Sequence, residues 1–162
     1  MLTLLATGGT IACTPGRNGL EPTLGAADLL RALGPAAPSP VRACDVFTLD
    51  SSNVQPEEWR ALARAAHEAL KTSDGVVITH GTDTMPETAR FLLERPDQIG
   101  QRTIVLTGAM QPSAMRVTDA PFNVGAAVTA AQLLPAGVYV CMSGRIFDGA
   151  TVRKDRQRGI FL

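Results

Sequence analysis

The chain has 162 residues, of which 45% are apolar, 19% charged and only 4% aromatic. That length suits one domain with an aliphatic core, and that composition excludes long disorder. Fifteen basic and fifteen acidic side chains cancel, so nothing in the charge points to nucleic acid or an acidic membrane surface, and no apolar run approaches the ~20 residues of a membrane span.

Leu2 to Ala6 is a short apolar run that reads as a buried first strand, not as a signal peptide, because no basic segment precedes it. It ends in Thr7-Gly8-Gly9-Thr10. Cys13 to Pro22 reads as a loop on its glycines and prolines. Gly25 to Leu33 is a short helix, Gly34 to Pro40 a proline-rich break, and Val41 to Leu49 a second strand. Asn53 to Lys71 gives the clearest helix. Pro56 and Glu57-Glu58 suit its first turn, and Trp59, Leu62, Ala63, Ala66 and Leu70 form its apolar stripe. Gly75 to Thr79 is a third strand, Met85 to Glu94 a helix, Thr103 to Thr107 a fourth strand, Asn123 to Leu134 an alanine-rich helix and Gly137 to Met142 a fifth strand. The basic run Arg153 to Arg158 reads as a solvated edge.

Short β-branched strands separated by helices predict an α/β fold: a mainly parallel sheet with helices on both faces, a Rossmann-like or flavodoxin-like three-layer sandwich. Such sheets bind ligands beyond the carboxyl ends of their strands. Those ends carry Thr7 to Thr10, Asp50-Ser51-Ser52-Asn53, Thr79-His80-Gly81-Thr82-Asp83-Thr84 and Thr107-Gly108. Hydroxyls, two aspartates and glycines on one rim favour a small-molecule site, although the same hydroxyls also suit local capping of loop backbone. His80 either lines this rim or makes a structural hydrogen bond.

Three chemistries compete for the rim. Gly8-Gly9 superficially resembles a phosphate loop, but G-x-G-x-x-G and a GK[ST] ending are absent, and Pro15 stands where the following helix should run. A G-x-S-x-G nucleophile elbow is also absent. A threonine hydroxyl used as nucleophile fits better, with Asp83 and a distant lysine as parts of a proton relay. Cys13, Cys44 and Cys141 form no CxxC, and with the two histidines they offer no metal spacing. No metal or cofactor is expected. The odd cysteine count favours a reducing cytoplasm.

The sequence resembles the bacterial-type L-asparaginase and glutaminase family. Its first signature matches Ala6-Thr7-Gly8-Gly9-Thr10-Ile11-Ala12, and its second matches Val77 to Met85 through Thr79-His80-Gly81-Thr82-Asp83-Thr84. Leu106-Thr107-Gly108-Ala109-Met110 with Pro112, Thr118-Asp119 with Pro121-Phe122-Asn123, and Asp148-Gly149 with Lys154 match further segments in order. The resemblance covers nearly the whole chain. It implies hydrolysis of L-asparagine to L-aspartate and ammonia through an acylated threonine, with weak L-glutamine hydrolysis as a side reaction. Thr10 matches the primary nucleophile, and Thr82, Asp83 and Lys154 match the Thr-Asp-Lys group. Ser51 and Ser52 fall where the family holds the substrate's α-carboxylate and neighbouring polar groups, with Gly9, Gly81, Thr82, Asp83 and Ala109 around the same ligand. Asp83 also matches the partner of the α-ammonium.

Two departures bear on this reading. The family carries a tyrosine after the first signature, where this chain has Gly19 or Leu20; its single tyrosine is Tyr139. The length is that of an N-terminal-type catalytic domain over 1–162, so the family's C-terminal domain is expected to be absent and substrate binding weak. A non-catalytic amino-acid binding or sensing module that keeps the pocket is the alternative. Self-association as a homodimer or higher homo-oligomer is expected from the aliphatic helices.

Overall fold

In the computed structural model, which describes residues 1–17, 19–34 and 40–162, strand side chains alternate between two apolar layers. In chain order the elements are β1 (Leu2–Gly8), β2 (Cys13–Gly16), β3 (Gly19–Pro22), α1 (Ala26–Arg31), β4 (Val41–Leu49), α2 (Pro56–Leu70), β5 (Gly75–Thr79), α3 (Met85–Leu93), α4 (Pro96–Ile99), β6 (Thr103–Thr107), α5 (Ala120–Leu133), β7 (Gly137–Met142), β8 (Arg145–Asp148), β9 (Lys154–Asp155) and β10 (Ile160–Phe161). Leu5, Val76, Ile78, Ile104 and Leu106 pack on one side with Leu62 and Ala66 of α2 and Ala89 and Leu92 of α3. Leu4, Ala6, Val77 and Val105 pack on the other with Leu29 of α1 and Val124, Ala127 and Val128 of α5. Strands buried on both faces need no polar alternation, which is why the sequence shows continuous apolar runs.

The main sheet has the order β4-β1-β5-β6-β7-β8. The first five strands are parallel, and β8 returns antiparallel to β7. Counting only the parallel strands, the order is that of a flavodoxin-like sheet, and it reverses between β1 and β5. The chain leaving β1 therefore turns toward the α1/α5 layer, where Ile11 and Ala12 are buried. The chain leaving β5 turns toward the α2/α3 layer, where Met85 is buried. The diverging loops open a crevice at this switch point.

The expected strands and helices are present, with α5 starting at Ala120 rather than Asn123 and three further changes. Cys13 to Pro22 is not a loop but the antiparallel ribbon β2–β3, in which Gly16 pairs with Gly19 and Pro15 with Leu20. A two-stranded edge ribbon tolerates Pro15 because only one side of each strand needs its N–H groups. The basic run is likewise not a plain solvated edge. It is the hairpin β9–β10, anchored by buried Val152 and Phe161. Asn53 lies in a 3-10 turn, and α2 starts later, at Pro56, because the Glu58 carboxylate accepts the Gln55 N–H at 2.8 Å and fixes the helix start there. The proline-rich break from Gly34 to Pro40 lies, for residues 35–39, outside the described residues. Among the described residues no helix is long and apolar enough to cross a membrane.

Candidate active site

Close backbone packing brings three loops together at the switch point. Gly9 has φ 76° and ψ −179°, and its N–H donates to the Leu49 carbonyl at 2.8 Å. A Cβ on Gly9 would occupy the Gly81 backbone, and a Cβ on Gly81 would occupy the Ser51 side chain. The loops after β1, β4 and β5 thus interlock where no side chain fits between them. Thr10 follows Gly9 in a 3-10 turn pinned by buried Ile11 and Ala12. It is half-buried, and its hydroxyl makes no hydrogen bond among the described residues.

Lys154 closes the site from the far end of the chain. Its Nζ donates to Thr82 Oγ1 at 2.7 Å and to Asp83 Oδ1 at 2.6 Å. The lysine side chain is 8% exposed and the aspartate 54%. The hairpin that carries Lys154 is held by the Phe161–Lys154 pairing and by Arg90, whose guanidinium donates to the Val152 carbonyl at 3.1 Å. Asp83 lies just before the N-terminus of α3, where a carboxylate is favoured. Lys154 consumes only Oδ1, so Oδ2 remains able to accept from a ligand cation. A cleft of about 380 Å³ runs past Ser52, Asp83, Thr84, Met110, Lys154 and Arg156. A cavity of about 450 Å³ at the opposite ends of the strands, bordered by Leu2, Val41, Arg102 and Thr103, holds none of the expected site residues.

The two serines are not equivalent. Ser52 donates both its N–H and its hydroxyl to Asp50 Oδ1, at 2.9 and 2.7 Å. These bonds, the hydroxyl's first, hold the Asp50 carboxyl below its ordinary range. With its proton directed at Asp50, the Ser52 hydroxyl has no second proton to offer a carboxylate. Ser51 is buried at 4% exposure, its carbonyl accepts the Thr84 hydroxyl at 2.9 Å, and its own hydroxyl has no partner among the described residues.

His80 sits beneath the site rather than in it. The ring is fully buried; Nδ1–H donates to the Gly81 carbonyl at 2.7 Å, and Nε2 lies 3.1 Å from Thr88 Oγ1. The Trp59 indole N–H donates to the same Thr88 oxygen at 2.9 Å. Desolvation drives the His80 pKa down, against weaker opposing pulls from the hydrogen bond to the Gly81 carbonyl and from Glu87. A neutral imidazole therefore fixes the Gly81 peptide between Gly9 and Ser51.

Ala109 is fully buried in the loop after β6. That loop is held by Asp119, whose carboxylate accepts the Met110 and Gln111 N–H groups at 2.9 and 3.0 Å. Asn123 completes the support: its Nδ2 donates to the Gly108 carbonyl and to Asp119 Oδ2, and its Oδ1 accepts the Ser143 N–H at 3.0 Å. Motif matching places Asp119 and Asn123 in one segment but does not show the clamp they form. The ribbon β2–β3 carries Gly19 and Leu20, the two candidates for the position of the family's tyrosine, with Leu20 50% exposed, and Tyr139 lies in β7 beside Gly137.

The model of the family described as "Asparaginase, N-terminal" matches residues 1–160. An L-asparaginase of Thermococcus kodakarensis is 37% identical over 98% of this chain and 49% of its own length. L-asparaginase 2 of Escherichia coli is 36% identical over 94% of this chain and 46% of its own. The glutaminase-asparaginase of Acinetobacter glutaminasificans is also 36% identical, over 93% of this chain and 48% of its own. The solved structure of the thermostable Thermococcus kodakarensis L-asparaginase superposes with a TM-score of 0.89, covering 99% of this chain and 50% of that one. The chain thus spans about half the length of the curated relatives it matches. On the family match and these identities, it belongs to the asparaginase family, as an N-terminal asparaginase domain.

Proposed function

We propose that this domain hydrolyses the side-chain amide of L-asparagine through a threonine nucleophile. The observation that carries the proposal is Lys154 Nζ bridging Thr82 Oγ1 and Asp83 Oδ1 on the wall of the switch-point cleft. In this reading the Thr10 hydroxyl attacks the amide carbon. The Thr82–Lys154 pair carries its proton to the leaving nitrogen, and Asp83 balances the lysine's charge. Backbone N–H groups of the glycine-bounded turns stabilise the tetrahedral oxyanion. Ammonia leaves, an acyl-threonine ester remains, and water releases L-aspartate. Asp83 Oδ2 receives the substrate's α-ammonium, while the unpartnered Ser51 hydroxyl donates to its α-carboxylate. L-Glutamine, one methylene longer, is the weaker substrate of the same chemistry.

Three free cysteines, Cys13, Cys44 and Cys141, support a reducing cytoplasmic setting as part of the proposal. A homodimer is the proposed assembly, supported by Phe122 and Leu133, which leave 63% and 77% of their surface exposed on α5. Ammonia release from L-asparagine and L-glutamine, compared between the intact protein and Thr10→Ala, tests the function. Release that disappears in Thr10→Ala is expected. No release from the intact protein at high substrate concentration overturns the enzyme reading and leaves an amino-acid binding module.

A further inference from the structure

The cleft carries one cation that the proposed chemistry does not use. Lys154 is neutralised by Asp83 and spends two of its three donors on Asp83 and Thr82. Arg156, two residues on, lines the same cleft and is exposed. Its guanidinium makes a single bond, from Nη2 to the Asp83 carbonyl, stretched to 3.4 Å. The remaining N–H groups of the fork are therefore open to an acceptor. The backbone beneath it is fixed: Asp155 Oδ1 accepts the Gln157 and Arg158 N–H groups at 3.0 Å each, and the turn closes onto β10 through Gly159 at φ 65°. Arg156 thus stands on a braced turn rather than on a loose tail.

We propose that Arg156 recognises the α-carboxylate of the amino-acid substrate, an inference that rests on the function proposed above. An α-amino acid presents an ammonium and a carboxylate on one carbon. The cleft presents the matching pair side by side, since the Asp83 carboxylate and the Arg156 guanidinium are tied through the Asp83 carbonyl. Ser52, on the same cleft, has its hydroxyl proton committed to Asp50 and supplies no charge for the carboxylate. Ser51 supplies one neutral donor. Arg156 supplies the charge and a planar fork that matches a carboxylate.

Calorimetric binding of L-aspartate and of L-isoasparagine, in which the α-carboxylate has become an amide, tests this without requiring turnover. The intact protein is expected to bind L-aspartate at least about tenfold more tightly than L-isoasparagine. Arg156→Ala should lose that discrimination by weakening L-aspartate alone. Arg156→Lys should keep part of it, and Arg158→Ala, a neighbouring exposed arginine outside the cleft lining, should leave it intact. An unchanged preference in Arg156→Ala, equal weakening of both ligands, or failure of the intact protein to bind L-aspartate overturns the inference. Ammonia release by the intact protein is measured alongside. Its absence, with discrimination by Arg156 preserved, rejects the hydrolase reading and leaves this assignment standing.

Discussion

Gly81 stands between Gly9 and Ser51, its backbone occupying the space a Gly9 Cβ would need while its own missing Cβ leaves room for the Ser51 side chain. That stacking sets the distance between the loops after β1, β4 and β5, so the proposed nucleophile, the proposed carboxylate donor and the Thr82–Asp83 pair share one crevice. Gly81→Ala should force the loops apart. The expected cost is about 1–3 kcal/mol of stability, as for other overpacked sites, with activity falling further than stability. Thermal melts and kcat/KM check this; a variant as active as the parent would show that loop spacing does not set the geometry.

Lys154→Met keeps the length of the side chain and removes its charge. Asp83 is half-exposed, so the lost ion pair should cost less than about 1 kcal/mol of stability. Ammonia release should fall about 100-fold or more, because a proton relay typically contributes that much. Equal activity in Lys154→Met and the parent would remove Lys154 from the mechanism.

Ser51→Ala and Ser52→Ala should part company. Loss of the Ser51 hydroxyl removes a donor to an ionised group and should raise KM about tenfold with kcat little changed. Loss of the Ser52 hydroxyl frees an exposed carboxylate at Asp50, and kinetics should stay within about threefold of the parent. Steady-state kinetics that rank the two variants in the opposite order would reassign the pair.

His80 gives stability a pH dependence of known sign. Burial lowers its folded pKa below the ordinary ~6.5 of a free imidazole. Below about pH 6.5 the unfolded chain binds a proton that the folded protein resists, so stability is full above that pH and is lost as pH falls toward the folded pKa. The slope is at most about 1.4 kcal/mol per pH unit for one proton. The carboxyl groups with lowered pKa, such as Asp50, act only in the acid range below their ordinary values. Denaturant titrations at about pH 7.5, 6.0 and 5.0 should therefore show a decline in the parent that His80→Gln lacks. A parallel decline in both would place the titration elsewhere.

Asn123→Leu removes the clamp behind the site. The Gly108 carbonyl and the Ser143 N–H lose their partners, and Ser143 is held at φ 53° in the turn between β7 and β8. Leaving the buried Gly108 carbonyl and the part-buried Ser143 N–H unpaired should cost about 2 kcal/mol. A melting temperature within about 2 °C of the parent, by the order of magnitude for a domain of this size, would show that Asp119 alone holds the loop.

The strands and helices of this fold are written in short-range terms. Val76-Val77-Ile78 and Ile104-Val105-Leu106 are too apolar for anything but a strand buried on both faces, and Pro56 with Glu58 marks the start of α2. The ribbon β2–β3 is hidden in the sequence because its glycines and prolines signal a loop equally well; only pairing of Cys13 with Pro22 makes it a ribbon. The hairpin β9–β10 is hidden because its charges look solvated, while Val152 and Phe161 anchor it from residues just outside the run.

The amino-acid sequence by itself determined which chemical groups end the parallel strands and, through ordered motifs, which family they resemble. Only the tertiary structure decided how those groups are spent. It joins Lys154 to Thr82 and Asp83 across 72 and 71 positions, commits Ser52 to Asp50, leaves the Ser51 hydroxyl unpartnered among the described residues, buries His80 as a brace and sets Arg156 beside Asp83. Local propensity reaches a few residues along the chain, whereas the direction of a hydroxyl proton or the neutralisation of a lysine depends on partners that only the folded crossovers bring within about 3 Å, the ordinary reach of a hydrogen bond.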